Sequence, residues 1–231
     1  ADMLAFLNET KMDEKMNKVY KRQAIRLIKR SEIEKSFGMT EAIEAMAEAF
    51  SSLSSGKAFV PKRYISHTPD EALTFLLKPA FVDDHDKSSI KILTQKNRDT
   101  IAGLPTILGI VLLIDKISGE IVSIMDGEYI TALRTGAASG LATRLLSRED
   151  SCKLAIFGCG SQGRLQLAAV DAVRRLEKIW VFDRSERQAQ QFVEEMTPES
   201  EAAIVFTNDL SVLKDVDIIC TATNAEAPLF N

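Results

Sequence analysis

The chain has 231 residues, of which 45% are hydrophobic and 27% charged, as in an ordinary globular protein with room for one large or two modest domains. Its formal net charge of −4 excludes a general electrostatic attraction to nucleic acids or to anionic membranes. No apolar run reaches the roughly 20 residues that a membrane-spanning helix needs.

The first part of the chain predicts one helix beside a largely antiparallel sheet. Residues 1–23 show no clear hydrophobic period and are interpreted as an N-terminal extension, whereas residues 24–28 favour a first strand. Thr40 is a plausible N-cap for a helix that ends near Ser55 and is closed by Gly56. The apolar stripe of this helix comprises Ile43, Met46, Ala47, Phe50 and Leu53.

Four further runs supply the strands of that sheet. Residues 73–77 and 90–93 are short strand candidates. Residues 106–114 and 120–125 are rich in β-branched side chains and are separated by a turn sequence, which predicts a β-hairpin.

A long helix rich in alanine and glycine is predicted over residues 131–147. Its glycines lower helix propensity but permit the close approach of another backbone. Because this helix stands directly before the strands of the second half, we expect it to connect two domains, with the polar residues 148–151 at their seam.

The second half alternates strands with helices, the pattern of a parallel sheet. Strands are predicted at residues 154–157, 179–182, 202–206 and 216–220, with helices at 162–175, 185–196 and 209–214. The fourth strand should lie beside the first, at the crevice where the strand order reverses. A doubly wound dinucleotide fold has about six strands, so we expect a truncated form of a longer protein.

A glycine-rich turn, Gly158-Cys-Gly160-Ser-Gln-Gly163, joins the first of these strands to its helix. Glycines let the backbone approach a diphosphate without an intervening Cβ, and the helix N-terminus offers N–H groups and a positive dipole end. Asp183 follows the next strand, 20 residues after Gly163, where its carboxylate can accept hydrogen bonds from ribose hydroxyls. The pattern predicts a dinucleotide site; the alternative is a turn that needs glycine only for close packing.

Asp183 and Arg184 bear on whether the cofactor is NAD or NADP. Asp183 would repel a 2′-phosphate and so favours NAD, whereas the guanidinium of Arg184 could bind that phosphate and leaves NADP possible. Cys159, inside the turn, is interpreted as a small residue that fits rather than as a redox thiol.

The cysteines and histidines narrow the possible chemistry. The three cysteines show no metal-ligand spacing, and we expect reduced thiols in a cytoplasmic protein. His67 and His85 are too few for a histidine metal cluster, and no serine-nucleophile motif lies near either. We therefore expect no metal, and any general acid or base would be a Lys, Asp, Glu, Tyr or Cys.

Three segments, together with the glycine turn, resemble the ornithine cyclodeaminase and mu-crystallin family from about residue 24 to the end. They are Gly103–Thr106, the hairpin through Leu112–Glu120, and above all Met125–Ser139. The resemblance implies an α/β fold with an incomplete Rossmann-type doubly wound parallel sheet and an α+β domain with a largely antiparallel sheet. We expect the domains at residues 24–150, for substrate and homodimerisation, and 151–231, for the nicotinamide cofactor, with the substrate in the cleft between them.

The resemblance also implies site residues. Arg63 should grip the substrate carboxylate, because a bidentate arginine fixes the plane as well as the charge of that group. Lys91 should be the active-site lysine, which stabilises the carboxylate or holds a water, and Arg134 a third cation. Without the resemblance, each would be interpreted as a solvated charge. Besides the turn glycines and Arg184, the implied cofactor contacts are Thr106, Ser161, Gln162, Asp183 and Thr223.

Lys78 departs from the residue common beside the substrate in the family. A cation there would discourage a second ammonium, such as that of ornithine, and could favour a second carboxylate. Alternatively, the side chain extends to water. The resemblance places the proton-donating aspartate of the family beyond residue 231.

Three functions remain open. The first expectation is an ornithine cyclodeaminase-like, NAD-dependent enzyme that acts at the α-carbon and converts ornithine to proline and ammonia. The alternative is an NAD(P)H-dependent reductase of a cyclic imine such as pyrroline-2-carboxylate, or an alanine dehydrogenase-like oxidoreductase. A further alternative is a crystallin-like protein that binds NAD(P)H without catalysis. The expected partners are a small amino or imino acid and a second copy of the chain, with no nucleic acid and no membrane.

Overall fold

The structure is a computed structural model that describes residues 24–96, 107–225 and 227–230. Its helices are α1 (Arg30–Ser36), α2 (Met39–Ser54), α3 (Gly127–Leu146), α4 (Ser161–Asp171) and α5 (Glu186–Met196). Its strands are β1 (Arg26–Ile28), β2 (Ala58–Phe59), β3 (Tyr64–His67), β4 (Leu73–Val82), β5 (Lys87–Lys96), β6 (Ile107–Asp115), β7 (Ile121–Asp126), β8 (Lys153–Phe157), β9 (Lys178–Phe182), β10 (Ala203–Phe206) and β11 (Ile218–Thr221). The predicted extension at residues 1–23 and the predicted cofactor contact Thr106 lie outside the described residues. No helix in the described ranges is both long enough and apolar enough to cross a membrane.

The first sheet has seven strands, in the order β1-β7-β6-β5-β4-β2, with β3 also paired to β4. Apart from the parallel β1–β7 pair, its described pairs are antiparallel, as predicted. The predicted hairpin is confirmed as β6 and β7. Strands β4 and β5 each extend over ten residues, beyond the short apolar runs that predicted them, because polar residues and Pro79 interrupt those runs.

The second sheet has four parallel strands in the order β10-β9-β8-β11. The fourth strand in the chain lies beside the first, as predicted, and the order reverses between β8 and β11. This is the order of the first four strands of a Rossmann fold, so the predicted α/β class with a second, largely antiparallel sheet is confirmed.

Helix α3 packs between α2 and α4, and two of its glycines determine how closely α4 approaches. A Cβ on Gly136 would lie 2.5 Å from the carbonyl oxygen of Leu165, and a Cβ on Gly140 would lie 2.9 Å from that of Ala169. Because no real Cβ tolerates such contacts, only glycine allows α4 to approach so closely. The close approach predicted from the small residues of this helix is confirmed.

Several local predictions are wrong. Thr40 is not an N-cap: α2 begins at Met39, and Gly38 provides the cap with an extended backbone whose carbonyl accepts the N–H of Ala42. Helix α3 begins four residues earlier than predicted, because the side chain of Asp126 accepts the N–H of Tyr129 at 2.8 Å and caps it there. Helix α4 ends at residue 171, before the predicted 175. Helix α1 and strands β2 and β3 were not predicted from the sequence.

The apolar stripe of α2 is only partly buried by the described residues. Ile43, Met46 and Ala47 pack in one cluster with residues of α3. Phe50 and Leu53, at the far end of the stripe, remain 47% and 50% exposed.

Candidate active site

Four positively charged side chains lie in one region, where β4 and β5 face α3. Lys78 and Lys91 are direct cross-strand partners. The charges of Arg63 and Arg134 act on Lys78, and those of Arg134 and Lys78 act on Lys91. The structure therefore brings together the three cations implied by the resemblance and adds Lys78 to them.

Burial and the neighbouring positive charges both disfavour the charged forms of Lys78 and Lys91. Burial, followed by the charges of Arg134 and Lys78, lowers the pKa of Lys91 to about 8. Burial is also the main cause that lowers the pKa of Lys78, with Arg63 and Arg134 contributing. Lys78 is partly exposed, which agrees with a pocket cation and equally with a side chain that extends towards water.

No carboxylate of the described chain forms an ion pair with any member of this cation cluster. The one hydrogen bond that the four donate to described residues runs from Lys91 Nζ to Thr131 Oγ1, at 3.2 Å. Like charges directly opposite each other destabilise a sheet, and a bound anion would relieve their repulsion. The cluster is thus suited to hold a small acid.

The glycine turn contains glycines of two kinds. Gly158 has a φ of 101°, and a Cβ on it would clash with the carbonyl oxygen of Ala222. A Cβ on Gly163 would clash with the carbonyl oxygen of Gly158. By contrast, a Cβ on Gly160 would meet no atom within 4 Å. Close packing explains the outer two glycines, whereas the middle one leaves open space at the start of α4.

The first turn of α4 is suited to an anionic ligand. Its N-cap is Gly160, which supplies no capping side chain, so the N–H groups there are not covered by one. The amide oxygen of Gln162 is buried and has no hydrogen-bond partner among the residues that the structure describes. Ser161, next to it, is exposed. A ligand at this position could satisfy both the N–H groups and the amide.

Asp183 directly follows β9 and lies beside the turn, as the spacing predicts. Its two carboxylate oxygens accept the N–H groups of Cys159 and Ser185, each at 2.8 Å. These bonds fix the carboxylate and leave each oxygen a further lone pair for a ligand hydroxyl. Arg184 is exposed. Thr223, after β11, has its methyl group 3.2 Å from the position of a Cβ on Gly158, so it also borders the turn.

Cys159 is buried, and burial, followed by the charge of Asp183, raises the pKa of its thiol to about 12. A thiol held neutral in this way is a poor nucleophile. The interpretation of Cys159 as a small residue that fits the turn agrees with this. In the described ranges, no group of three or more His, Cys, Asp or Glu side chains is arranged to hold a metal ion.

The cation cluster and the glycine turn lie at the same end of two packed helices. Gly136 lies against Leu165, and Gly140 lies against Ala169, four residues further along each helix, so α3 and α4 run parallel. The first turns of α3, which carry Arg134, therefore lie beside the first turn of α4. The two predicted sites therefore lie towards the same end of this helix pair.

Two residues of this region, Thr131 and Arg164, were not predicted from the sequence. Thr131 accepts the hydrogen bond from Lys91, and its spacing of three residues from Arg134 puts both on one helix face, a signal that was available in the sequence. Arg164 donates to the carbonyl of Cys159 and to Glu195, and so ties the turn to α5.

Residues 23–231 match the sequence profile of the Ornithine cyclodeaminase/mu-crystallin family. The chain belongs to this family. It is 33% identical over 206 residues to a Delta(1)-pyrroline-2-carboxylate reductase of Bacillus cereus, and the match covers 89% of this chain and 63% of that protein.

Two solved structures of the family resemble the described fold. The Thermococcus litoralis Delta(1)-pyrroline-2-carboxylate reductase, in complex with NADH and L-proline, matches with 37% identity and a TM-score of 0.84, over 89% of this chain and 64% of its own. An archaeal alanine dehydrogenase dimer with bound NAD matches with 26% identity and a TM-score of 0.79, over 89% and 62%. The chain thus spans somewhat less than two thirds of the length of these relatives.

Proposed function

We propose that the protein is an NAD(H)-dependent reductase that converts a cyclic imino acid, Delta(1)-pyrroline-2-carboxylate, to proline. The observation that carries this proposal is the cation cluster, which has no ion-pair partner among the described residues. We propose that it faces the glycine turn across a cleft. The similarity to reductases of this substrate supports it. Of the functions that the sequence left open, the reductase is better supported than the cyclodeaminase.

The chain's own side chains would bind and orient the acid. Arg63, with its forked guanidinium, would hold the carboxylate in one plane, and Lys91, Arg134 and Lys78 would complete its neutralisation. Fixing the carboxylate also fixes the adjacent imine carbon, which must face the hydride donor. The imine carbon gains a hydride and the ring nitrogen a proton, so that one C=N bond is reduced.

The glycine turn would hold the cofactor, which supplies that hydride when bound. Gly158, Gly160 and Gly163 shape the backbone, and the N–H groups at the start of α4 would bind the diphosphate with Ser161 and Gln162. Asp183 would accept the ribose hydroxyls and favour NADH, with Arg184 as the residue that keeps NADPH possible. Thr223 and Thr106 are the remaining proposed contacts.

The charge of the cluster argues against ornithine. A cyclodeaminase substrate carries a side-chain ammonium, and each cation of the cluster would repel it. The described residues place no carboxylate in an ion pair with any of these cations. An imino acid with a single carboxylate and an apolar ring avoids this repulsion.

The proposal is tested by following NADH absorbance with the purified protein. When pyrroline-2-carboxylate is added, one NADH should be oxidised for each proline formed. The rate should be higher with NADH than with NADPH. Ornithine should release no ammonia. Ammonia and proline from ornithine without net change in NADH would replace the reductase with a cyclodeaminase, and NADH binding without turnover of any imino acid would favour a non-catalytic protein.

We also propose that the protein is a homodimer, formed through the face of the seven-stranded sheet that points away from α3. Lys78, Lys91 and Val111 share the α3 side, so their neighbours in each strand point to the other side. That side carries Leu77, Ile92 and Ile110 in register, with the aromatic and aliphatic residues Phe75, Ile90, Leu108, Leu112 and Ile114 around them. Leu108 and Ile110 are 43% and 38% exposed, and such an apolar face favours a protein partner.

Sedimentation tests this interface. The chain should sediment as a dimer, and Ile110→Glu should convert it to a monomer that keeps its circular dichroism spectrum. Val205→Glu changes a similarly exposed β-branched residue of the other sheet and should leave the dimer intact. A dimer that survives Ile110→Glu would refute this choice of face.

The predicted division into residues 24–150 and 151–231 stays part of this proposal, with the substrate and dimer functions in the first and the cofactor in the second. The cytoplasmic location likewise stays a prediction.

A further inference from the structure

Lys91 is held by a short chain of hydrogen bonds that starts at the first turn of α3. The hydroxyl of Thr131 donates to the carbonyl of Gly127 at 2.6 Å, and its oxygen accepts from Lys91 Nζ at 3.2 Å. The donor and acceptor lie 40 residues apart in sequence, so this contact ties the middle of β5 to the start of α3.

The geometry fixes the direction of each bond. A hydroxyl has one proton, and Thr131 uses it for the short bond to Gly127. Towards Lys91, Thr131 can therefore only accept. One N–H of the lysine is thereby directed at α3, and the rest of the amino group is left to point into the cluster.

The other charged groups that face Lys91 repel its amino group and would move it out of the cluster. Lys78 lies directly opposite on β4, Arg134 lies one turn along α3, and Arg63 acts on the same cluster through Lys78. All three are cations and repel a charged amine. In the described chain, Thr131 is the single group that Lys91 hydrogen-bonds, and thus the contact that opposes this repulsion.

We propose that Thr131 is a positioning residue that anchors the amino group of Lys91 within the cation cluster and thereby sets where the acid's carboxylate binds. The proposal deepens the reductase function and rests on it for its kinetic consequence, but the anchoring can be measured without activity.

Helix α3 provides a matched control one turn further along. Thr135 donates from its hydroxyl to the carbonyl of Thr131 at 2.6 Å, the same type of intrahelical bond at the same length. It makes no described contact with Lys91. Thr135→Val therefore removes a hydroxyl from the same helix without releasing the lysine, whereas Thr131→Val removes the anchor and Thr131→Ser keeps it.

The first measurement is a titration of Lys91 by NMR in the full chain with isotope-labelled lysine, its signal assigned from Lys91→Arg. Losing an acceptor for the ammonium should lower the pKa of Lys91 in Thr131→Val by about one unit, since a hydrogen bond to a charged group contributes that order of free energy. Thr131→Ser and Thr135→Val should titrate like the unaltered protein. An unchanged titration in Thr131→Val, or an equal shift in Thr135→Val, would overturn the proposal.

The second measurement is steady-state kinetics with pyrroline-2-carboxylate. Thr131→Val should lower kcat/KM for the imino acid about tenfold, because a misplaced cation no longer orients the substrate, while the KM for NADH stays unchanged. Thr131→Ser should restore it. If Thr131→Ser restored the titration of Lys91 but not kcat/KM, the kinetic role of Thr131 would be refuted. If the unaltered protein were inactive but the titrations came out as expected, the reductase function alone would be refuted.

Discussion

The two sheets differ in how their faces are covered. One is buried on both faces and has a mainly structural role, whereas the other carries candidate site residues on one face. In the four-stranded sheet, β8 and β9 are buried on both faces, under α4 and α5 on one side and under residues 212–216 and Leu229 on the other. In the seven-stranded sheet, one face lies under α3 and carries partly buried cations, and the other carries partly exposed apolar side chains. The four-stranded sheet can therefore contribute to a site only at its strand ends, through backbone groups and through side chains that follow the strands, such as Asp183. The seven-stranded sheet contributes side chains from its face.

The largest expected effect is the loss of a cation from the seven-stranded sheet. Lys91→Met should lower kcat/KM for the imino acid by roughly 10²–10³-fold, because it removes a charge that the bound carboxylate needs, while the affinity for NADH stays unchanged. Steady-state kinetics and a fluorescence titration with NADH measure the two quantities.

The same strand offers the control. Lys87 lies four residues before Lys91 on the same face of β5, but it is paired with Asp115 at 2.7 Å. Lys87→Met should change kcat/KM less than threefold, because Asp115 already neutralises the Lys87 charge and the pair lies outside the cation cluster. Equal losses in the two variants would break the distinction between paired and unpaired cations.

An intermediate effect is expected at the glycine turn, where backbone shape matters rather than charge. Gly160→Ala should weaken NADH binding about tenfold without lowering the free energy of unfolding, since the added methyl group meets only open space in the protein. Gly163→Ala should lower the free energy of unfolding by about 1–3 kcal/mol, since its Cβ clashes with the carbonyl of Gly158. A Gly160→Ala variant that binds NADH normally would place the diphosphate elsewhere.

The smallest effect is a gain in stability when the cluster loses a charge. The pKa of Lys91 is about 8 in the folded protein and 10.5 ordinarily, so folding penalises its protonated form. Stability should therefore rise as the pH increases from about 8 to 10.5, where only the unfolded chain keeps the proton. Because the lysine is partly exposed, we expect Lys91→Met to be more stable by only about 1 kcal/mol at neutral pH.

Urea unfolding at several pH values measures this gain. The advantage of Lys91→Met should shrink above pH about 8, as the unaltered protein loses its buried charge. A variant that is less stable at neutral pH would contradict a net repulsion of the Lys91 ammonium in the folded protein.

The difference between the sheets also explains what the sequence could predict. The strands of the four-stranded sheet are short apolar runs between turn residues, and all four were located within two residues. The far end of β4 was missed because Lys78 and Pro79 interrupt its apolar pattern, and both ends of β5 were missed because residues 87–89 and 94–96 are polar. Helix α1 was missed because it buries none of its seven residues, and the N-cap of α2 because glycine gives a weaker signal than threonine.

The two halves of the candidate site differ in the same way. The glycine turn and Asp183 are close in sequence and follow a local pattern, so spacing alone predicted them. The cluster joins a loop, two strands and a helix, and no local pattern links Arg63 to Arg134; the family resemblance was needed to find it. Thr131 was missed because its partner Lys91 is 40 residues away, although its spacing from Arg134 placed it on the same helix face.

The most direct test of the account is a crystal structure of the full chain with NADH and L-proline. The account predicts the diphosphate at the N-terminus of α4 beside Gly160, and the carboxylate of proline within hydrogen-bonding distance of Arg63 and Lys91. A dinucleotide bound away from the glycine turn, or a proline whose carboxylate touches none of the four cations, would contradict it.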